Sequence, residues 1–218
     1  MSEYRVVIAR IQQLLSGYSR PVVVAIDGGS GAGKSTLAHL IESKLDTALI
    51  PLDDFFSADI PDWQWDEFSN EEKLKRVFDW DRLRHQVIEP LLRRQTARWR
   101  AFDFEAGLRP DGTYGMQQVP KEREPADVIL IEGAYSASPA LADLVDLAIL
   151  VDVPIEERHA RLEAREESAF LERWHHIWDE VEDLYFNHIR PKNSFDVVVS
   201  PQSRAPSQSP KTTRLSPP

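Results

Sequence analysis

The sequence predicts an α/β fold, three layers in the order α/β/α around a central parallel sheet of about five strands. Three observations predict it. Val22–Ile26, Val128–Ile131 and Leu147–Val151 are unbroken apolar runs, as strands covered on both faces require. Each run stops at polar or glycine residues (Asp27-Gly28, Glu132-Gly133, Asp152), and helical periodicity fills the intervals. Sheets of this kind carry their sites at the C-terminal ends of the strands. Finally, the first run leads into Gly28-Gly29-Ser30-Gly31-Ala32-Gly33-Lys34-Ser35-Thr36 and then a helical stretch.

In chain order, residues 3–15 read as a short amphipathic helix ended by Gly17. Val22–Ile26 is the first strand, and the helix after the glycine loop runs to about Leu45. Ala48–Leu52 is a short buried strand followed by Asp53-Asp54-Phe55-Phe56. Residues 57–68, with Trp63 and Trp65, read as a loop. Ser69 and Glu72 have capping-box spacing, so a helix starts there. A second helix follows from Asp81, with Leu83, Val87 and Leu91 four apart and Pro90 expected to kink it. Residues 97–120 read as a strand pair with turn chemistry at Arg109-Pro110-Asp111-Gly112. After the Val128 and Leu147 strands, a charged helix occupies about 155–167. A long amphipathic one follows to Asn187, its stripe including Trp174, Trp178, Val181 and Tyr185. Val197–Val199 is the last strand. The expected organisation is a single domain over 1–200, with a substrate-side β insertion at about 57–120 and a small lid at about 155–170. The Ser/Pro/Gln-rich residues 201–218 form a disordered tail.

Composition narrows the function classes. With 218 residues and 42% hydrophobic, the chain can bury a sizeable core. A net charge of −10 argues against a nucleic-acid partner, which needs a basic face. No cysteine means no disulfide, no thiolate nucleophile and no zinc–thiolate site, which fits a cytoplasmic location. Arg5 and Arg10 interrupt the first apolar stretch, so it is not a signal peptide, and no apolar run reaches the roughly 20 residues of a membrane span. The partner is expected to be a small molecule, with no membrane, and the chain is compatible with a homo-oligomer.

The glycine loop carries the chemistry. Gly28, Gly33, Lys34 and Ser35 satisfy the P-loop pattern G-x-x-x-x-G-K-[ST]. Glycines let backbone N–H groups turn inward onto a phosphate, and the following helix adds its positive end. Residues 28–36 are therefore the expected nucleotide cradle, Lys34 reaching the β- and γ-phosphates and Ser35 holding Mg²⁺. Glu132, at the end of a clean apolar strand, is the second candidate around Mg²⁺. Asp53 ends the second strand and suits a general base, with Asp54 as its rival. Arg158, Arg161 and Arg165 share one helix face, and Arg161 and Arg165 are the favoured catalytic cations of a lid. His175-His176 reads as helix surface, no acids being spaced around it as ligands. The chain has no Asn-Lys-x-Asp, no Asp-x-x-Gly after the Val128 strand and no His-Arg-Asp. That disfavours a GTPase switch and a protein kinase.

Together these pieces resemble the uridine kinase and phosphoribulokinase group of small-molecule P-loop kinases, over most of residues 21–199. The resemblance rests on Gly28–Thr36, Leu52-Asp53-Asp54-Phe55-Phe56, Phe78-Asp79, Phe102-Asp103-Phe104, Ile131-Glu132-Gly133, and Val151-Asp152 with Arg158 and Arg165. It implies a P-loop NTPase fold, ATP and Mg²⁺, with Asp53 ahead of Asp54 as general base. It further implies Glu132 near Mg²⁺ and Asp79 holding the substrate's sugar hydroxyls. Phe102, Phe104 and Arg109 fall on the group's substrate motif, Tyr-Asp-Phe-x-x-His-x-Arg. Here Phe102 replaces the tyrosine and Gly107 the histidine, removing polar contacts to a base edge. Glu166-Glu167-Ser168 replaces the second arginine-rich lid segment.

The expected function is ATP-dependent phosphorylation of a hydroxyl on a small metabolite, a nucleoside or other ribose-like compound. The alternatives are a kinase for a cofactor precursor such as pantothenate or nicotinamide riboside, and a nucleotide-binding regulatory module without transferase activity.

Overall fold

The computed structural model describes residues 3–164 and 168–201. Along the chain run α1 (Glu3–Gly17), β1 (Val22–Asp27), α2 (Lys34–Glu42), β2 (Thr47–Pro51), α3 (Asn70–Arg76), α4 (Trp80–Leu83) and α5 (Glu89–Leu92). The short strands β3 (Ala97–Trp99), β4 (Phe102–Asp103), β5 (Gly115–Met116) and β6 (Lys121–Arg123) follow. Then come β7 (Val128–Glu132), β8 (Leu147–Val151), α6 (Ile155–Glu163), α7 (Ser168–Leu184) and β9 (Val197–Val199).

The central sheet has five strands in the order β2-β7-β1-β8-β9, all parallel. Its register brings the C-terminal ends together: Ile26 lies opposite Glu132 and Ile149, and Pro51 opposite Glu132. Alternation along the strands splits the core in two. Val22, Val24 and Ile26 of β1, with Val128 and Leu130, face Val7 and Ile11 of α1 and Leu37 and Ile41 of α2. Val23, Ile129 and Ile131 face the other way, toward Leu83, Val87 and Leu91 and the Trp178–Val181 stretch of α7. Continuous apolar runs are thus the signature of a sheet covered by helices on both sides.

Away from the sheet, four expectations sharpen. The Ser69–Glu72 capping box is present, each side chain bonding the other residue's backbone N–H. Pro90 does not simply kink its helix. The turn before it, Arg84–Ile88, widens to a π turn that accommodates the missing N–H and the crowding ring. The insertion is two antiparallel pairs, β3 with β6 and β4 with β5, so pairing runs on to Arg123. Residues 57–68 are not merely a loop: Asp62–Asp66 is a helical turn that buries Trp65 against Phe56, Phe68 and Trp178. No helix among the described residues is long and apolar enough to cross a membrane. The expected tail lies, from residue 202, outside the described residues.

One buried group ties these layers to the site. Asp27, fully buried at the end of β1, accepts four hydrogen bonds. Gly28 N (2.7 Å) and Tyr135 N (2.8 Å) donate to Oδ1; Ala137 N (2.9 Å) and Tyr185 Oη (2.7 Å) donate to Oδ2. Burial pushes its pKa up, against the pull of these donors and of Lys34. The carboxylate therefore fixes the start of the glycine loop, the segment after β7 and the helical end of α7 at one point. An amide offers only one acceptor oxygen. Asp27→Asn should leave about two donors facing an NH₂ group and lower unfolding stability by about 3 kcal/mol, read as a drop in urea midpoint. Tyr185→Phe, which removes one donor, should lower it by about 1 kcal/mol.

Candidate active site

Parallel register places the site at the C-terminal edge of the sheet. The glycine loop leaves β1 there and α2 starts at Lys34. Gly31 (φ +79°) and Gly33 (φ +94°) take left-handed conformations, and a Cβ on Gly31 would stand 2.7 Å from the Arg158 carbonyl oxygen. The loop can close only with glycine at these positions. Lys34 is buried, its Nζ donating to the carbonyls of Gly28 (2.9 Å) and Gly29 (3.1 Å). The ammonium is therefore held at the mouth of the loop by groups that an incoming phosphate oxygen can replace.

A cavity of about 960 Å³ opens over this loop. Ser30, Gly31, Gly33, Lys34, Ser35 and Thr36 line one side, with Asp53 and Glu132 beside them. Gly28, Gly29 and Ala32 hold the loop's shape without lining the cavity. Glu132 ends β7, and Pro51 is its partner in β2, so Asp53, two residues further on, stands next to it. Burial raises the Glu132 pKa, with Lys34 and a hydrogen bond from Ser35 opposing and the Asp53 charge adding. Two carboxylates, one ammonium and one hydroxyl thus share a single wall.

Asp53 and Asp54 point in different directions. Asp54 turns into the protein, accepting from Trp99 Nε1 (2.9 Å) and Lys121 Nζ (2.8 Å), so it fastens the β3–β6 insertion to the core. Asp53 is exposed to the cavity.

Much of the remaining lining is aromatic: Phe56, Phe78, Phe104, Trp174 and Trp178. Phe102 stands behind, buried, 5.1 Å from Phe56 and 4.5 Å from Phe104 between ring centroids. Two expected substrate residues lie elsewhere. Arg109 sits at the start of an exposed turn, bonded through its backbone to Thr113 and Gly112, and does not line the cavity. Asp79 caps α4 through Arg82 N (3.0 Å), pairs with the Arg82 guanidinium, and lines a smaller pocket of about 390 Å³ on the far side of Phe56.

The arginines of α6 also separate. Arg161 lines the cavity and donates to the carbonyls of Gly31 (3.2 Å) and Ala32 (3.4 Å). Arg158 donates to Ser30 O (3.0 Å) and Glu182 Oε2 (2.8 Å), while Ser30 N donates to Glu182 Oε1 (2.9 Å). Arg165 lies outside the described residues. Asp27 and Glu182 were not singled out from the sequence. The signal for Glu182 was there: it follows Trp178 by four and precedes Tyr185 by three, an acid on an apolar stripe. His175 needs correction as well. Asp179, four residues on, bonds it at 2.9 Å, so the histidine is not simply surface.

A parallel sheet in this order, with a glycine loop, a buried lysine and paired acids at its edge, defines a P-loop phosphotransferase. The chain belongs to the phosphoribulokinase / uridine kinase family, which it matches over residues 23–206. It is an ATP-dependent small-molecule kinase with a hydroxyl as acceptor. A uridine kinase from Clostridium botulinum strain 657 is 31% identical over 189 residues, covering 79% of this chain and 80% of its own. One from Streptococcus uberis is 26% identical over 204 residues, covering 84% and 87%. The structure of a possible uridine kinase from Bacillus stearothermophilus has the same fold, with a TM-score of 0.62 at 20% identity, covering 88% of this chain and 98% of that one.

The two aspartates should separate on stability. Asp54→Ala orphans the buried Trp99 N–H and should lower unfolding stability by about 2 kcal/mol. Asp53→Asn, at an exposed position, should change it by less than about 0.5 kcal/mol. Paired denaturation midpoints check both.

Proposed function

We propose that the chain phosphorylates a hydroxyl of a nucleoside or closely similar ribose compound, with ATP as donor. One observation carries the reading: Asp53, Glu132, Lys34 and Ser35 are clustered in a cavity that aromatic rings also line. A flat base fits the rings by stacking, and the attached sugar then points its hydroxyl toward Asp53. The acceptor oxygen attacks the γ-phosphorus as the bond to the β–γ bridging oxygen breaks. ADP leaves, and the hydroxyl proton passes to Asp53. Lys34 and the loop N–H groups hold the charge that builds on the phosphates, and Arg161 closes over the same loop.

The residues also fit Mg²⁺. Ser35 and Glu132 offer a hydroxyl and a carboxylate already bonded to one another at the start of α2, an oxygen-only set. When bound there, the ion neutralises charge on the β- and γ-phosphate oxygens.

Base selection is weak in this reading. Gly107, where the family motif has histidine, lies in an exposed turn with nothing within 4 Å of where its Cβ would be. The aromatic wall supplies stacking but few donors or acceptors for a base edge. Family membership favours neither a pantothenate- or nicotinamide-riboside-type acceptor nor a regulatory module without transfer.

ADP release tested against nucleosides, pantothenate and sugar alcohols should respond to nucleosides. Uridine and cytidine should differ in kcat/KM by less than about tenfold. A response to sugar alcohols alone would overturn the substrate reading. Asp53→Asn should lower kcat by about 10²- to 10⁴-fold with ATP affinity nearly unchanged. Near-normal turnover would remove Asp53 from its role.

A further inference from the structure

A second group of ligand-type side chains lies where α6 meets α7, outside the acceptor cavity. His175 and Asp179 are four apart on α7 and so share a face, with His175 Nδ1 2.9 Å from Asp179 Oδ1. His159 reaches across from α6. Its Nε2 is 4.0 Å from Asp179 Oδ2, and its ring centroid is 4.3 Å from that of His175. One ligand atom from each residue lies within 4.8 Å of the others. All three side chains are half-buried.

Two imidazoles and a carboxylate thus converge from two helices on one point. An ion that takes a lone pair from each ring and charge from the carboxylate satisfies all three. We propose that His159, His175 and Asp179 bind one divalent transition-metal ion of the zinc type, which fastens α6 to α7.

The donor chemistry selects the ion. Two imidazole nitrogens and one carboxylate oxygen suit Zn²⁺ and its neighbours, whereas Mg²⁺ prefers oxygen alone and keeps its waters. The site is thus chemically distinct from Ser35 and Glu132. Tetrahedral ligands about 2.0–2.1 Å from zinc stand about 3.4 Å from one another. His175 and Asp179 are already inside that spacing, and His159 Nε2 lies 4.0 Å from Asp179 Oδ2. Three protein ligands leave a fourth position for water.

The consequence reaches the P-loop. Arg158 and Arg161, which bond the loop carbonyls, flank His159 on α6, and Glu182, bonded to Ser30 N, is three residues past Asp179 on α7. An ion between the helices holds both sets of contacts in place.

The test needs no turnover. The full chain, stripped with EDTA and exchanged into buffer without nucleotide or Mg²⁺, is titrated with Zn²⁺ against a chromophoric chelator. One equivalent should bind, resist a large excess of Mg²⁺ and raise the unfolding midpoint. His159→Ala and His175→Ala should each weaken binding by about tenfold or more and abolish the rise in midpoint. Their metal-free midpoints report whether they still fold. His159→Gln, which keeps the side chain's polarity, serves if the alanine variant does not. Two results would overturn the site. The wild type could hold no ion against the chelator. Alternatively, the variants could bind as the wild type does, which would shift the ion to another histidine–acid pair, such as His39 with Glu42, His85 with Glu89 or His176 with Asp66.

Discussion

Four hydrogen bonds converge on the Asp27 carboxylate, and much of the site's geometry depends on them. A fully buried acid is costly unless every lone pair is met. Meeting them forces three separate segments to one place: the first amide of the glycine loop, the chain after Glu132, and the tyrosine that ends α7. The loop that cradles phosphate and the strand end that offers Glu132 are thereby set relative to one another before any ligand arrives. Lys34, folded back on the loop carbonyls, and Arg158, joined to Glu182 over Ser30, complete the mouth of the loop.

Beyond that mouth the cavity has two characters. Its loop side is charged and polar, suited to a triphosphate and its counter-ion. The rest of its lining is largely phenylalanine and tryptophan, which attract flat or apolar surface with little regard for hydrogen-bonding pattern. Phosphoryl transfer demands that charge be held still, while acceptor choice depends on shape. In the proposed reading these tasks fall to the sheet edge and to the insertion with α7. Asp54 shows the division at a single step of the chain. Its neighbour Asp53 faces the cavity, while Asp54 itself locks Trp99 and Lys121 of the insertion.

Much of this was legible in the residues. Val22–Ile26, Val128–Ile131 and Leu147–Val151 announce buried parallel strands because two-sided burial demands continuous apolar runs. The glycine loop is legible because few other patterns let backbone amides converge on an anion. Asp53 and Glu132 were each legible as strand-end acids, but that they stand side by side is decided by the β2–β7 register. What was hidden depends on long-range contact. Asp27 looks like an ordinary strand-end acid until Tyr135, Ala137 and Tyr185 arrive from more than a hundred residues away. Trp65 looks like loop because its burial is decided by Phe56 and Trp178. Pro90 reads as a kink because a π turn leaves no mark in residue periodicity. Arg109 matches a motif by position, yet the turn at Gly112 carries it away from the cavity.

The central claim is that this cavity brings a ribose-type hydroxyl to Asp53 while ATP lies on the glycine loop. Phosphorus NMR of the protein with ATP, Mg²⁺ and uridine tests it most directly. The account predicts a phosphomonoester resonance growing in step with ADP. ADP accompanied only by inorganic phosphate, or no ADP from uridine or any other nucleoside, would contradict it.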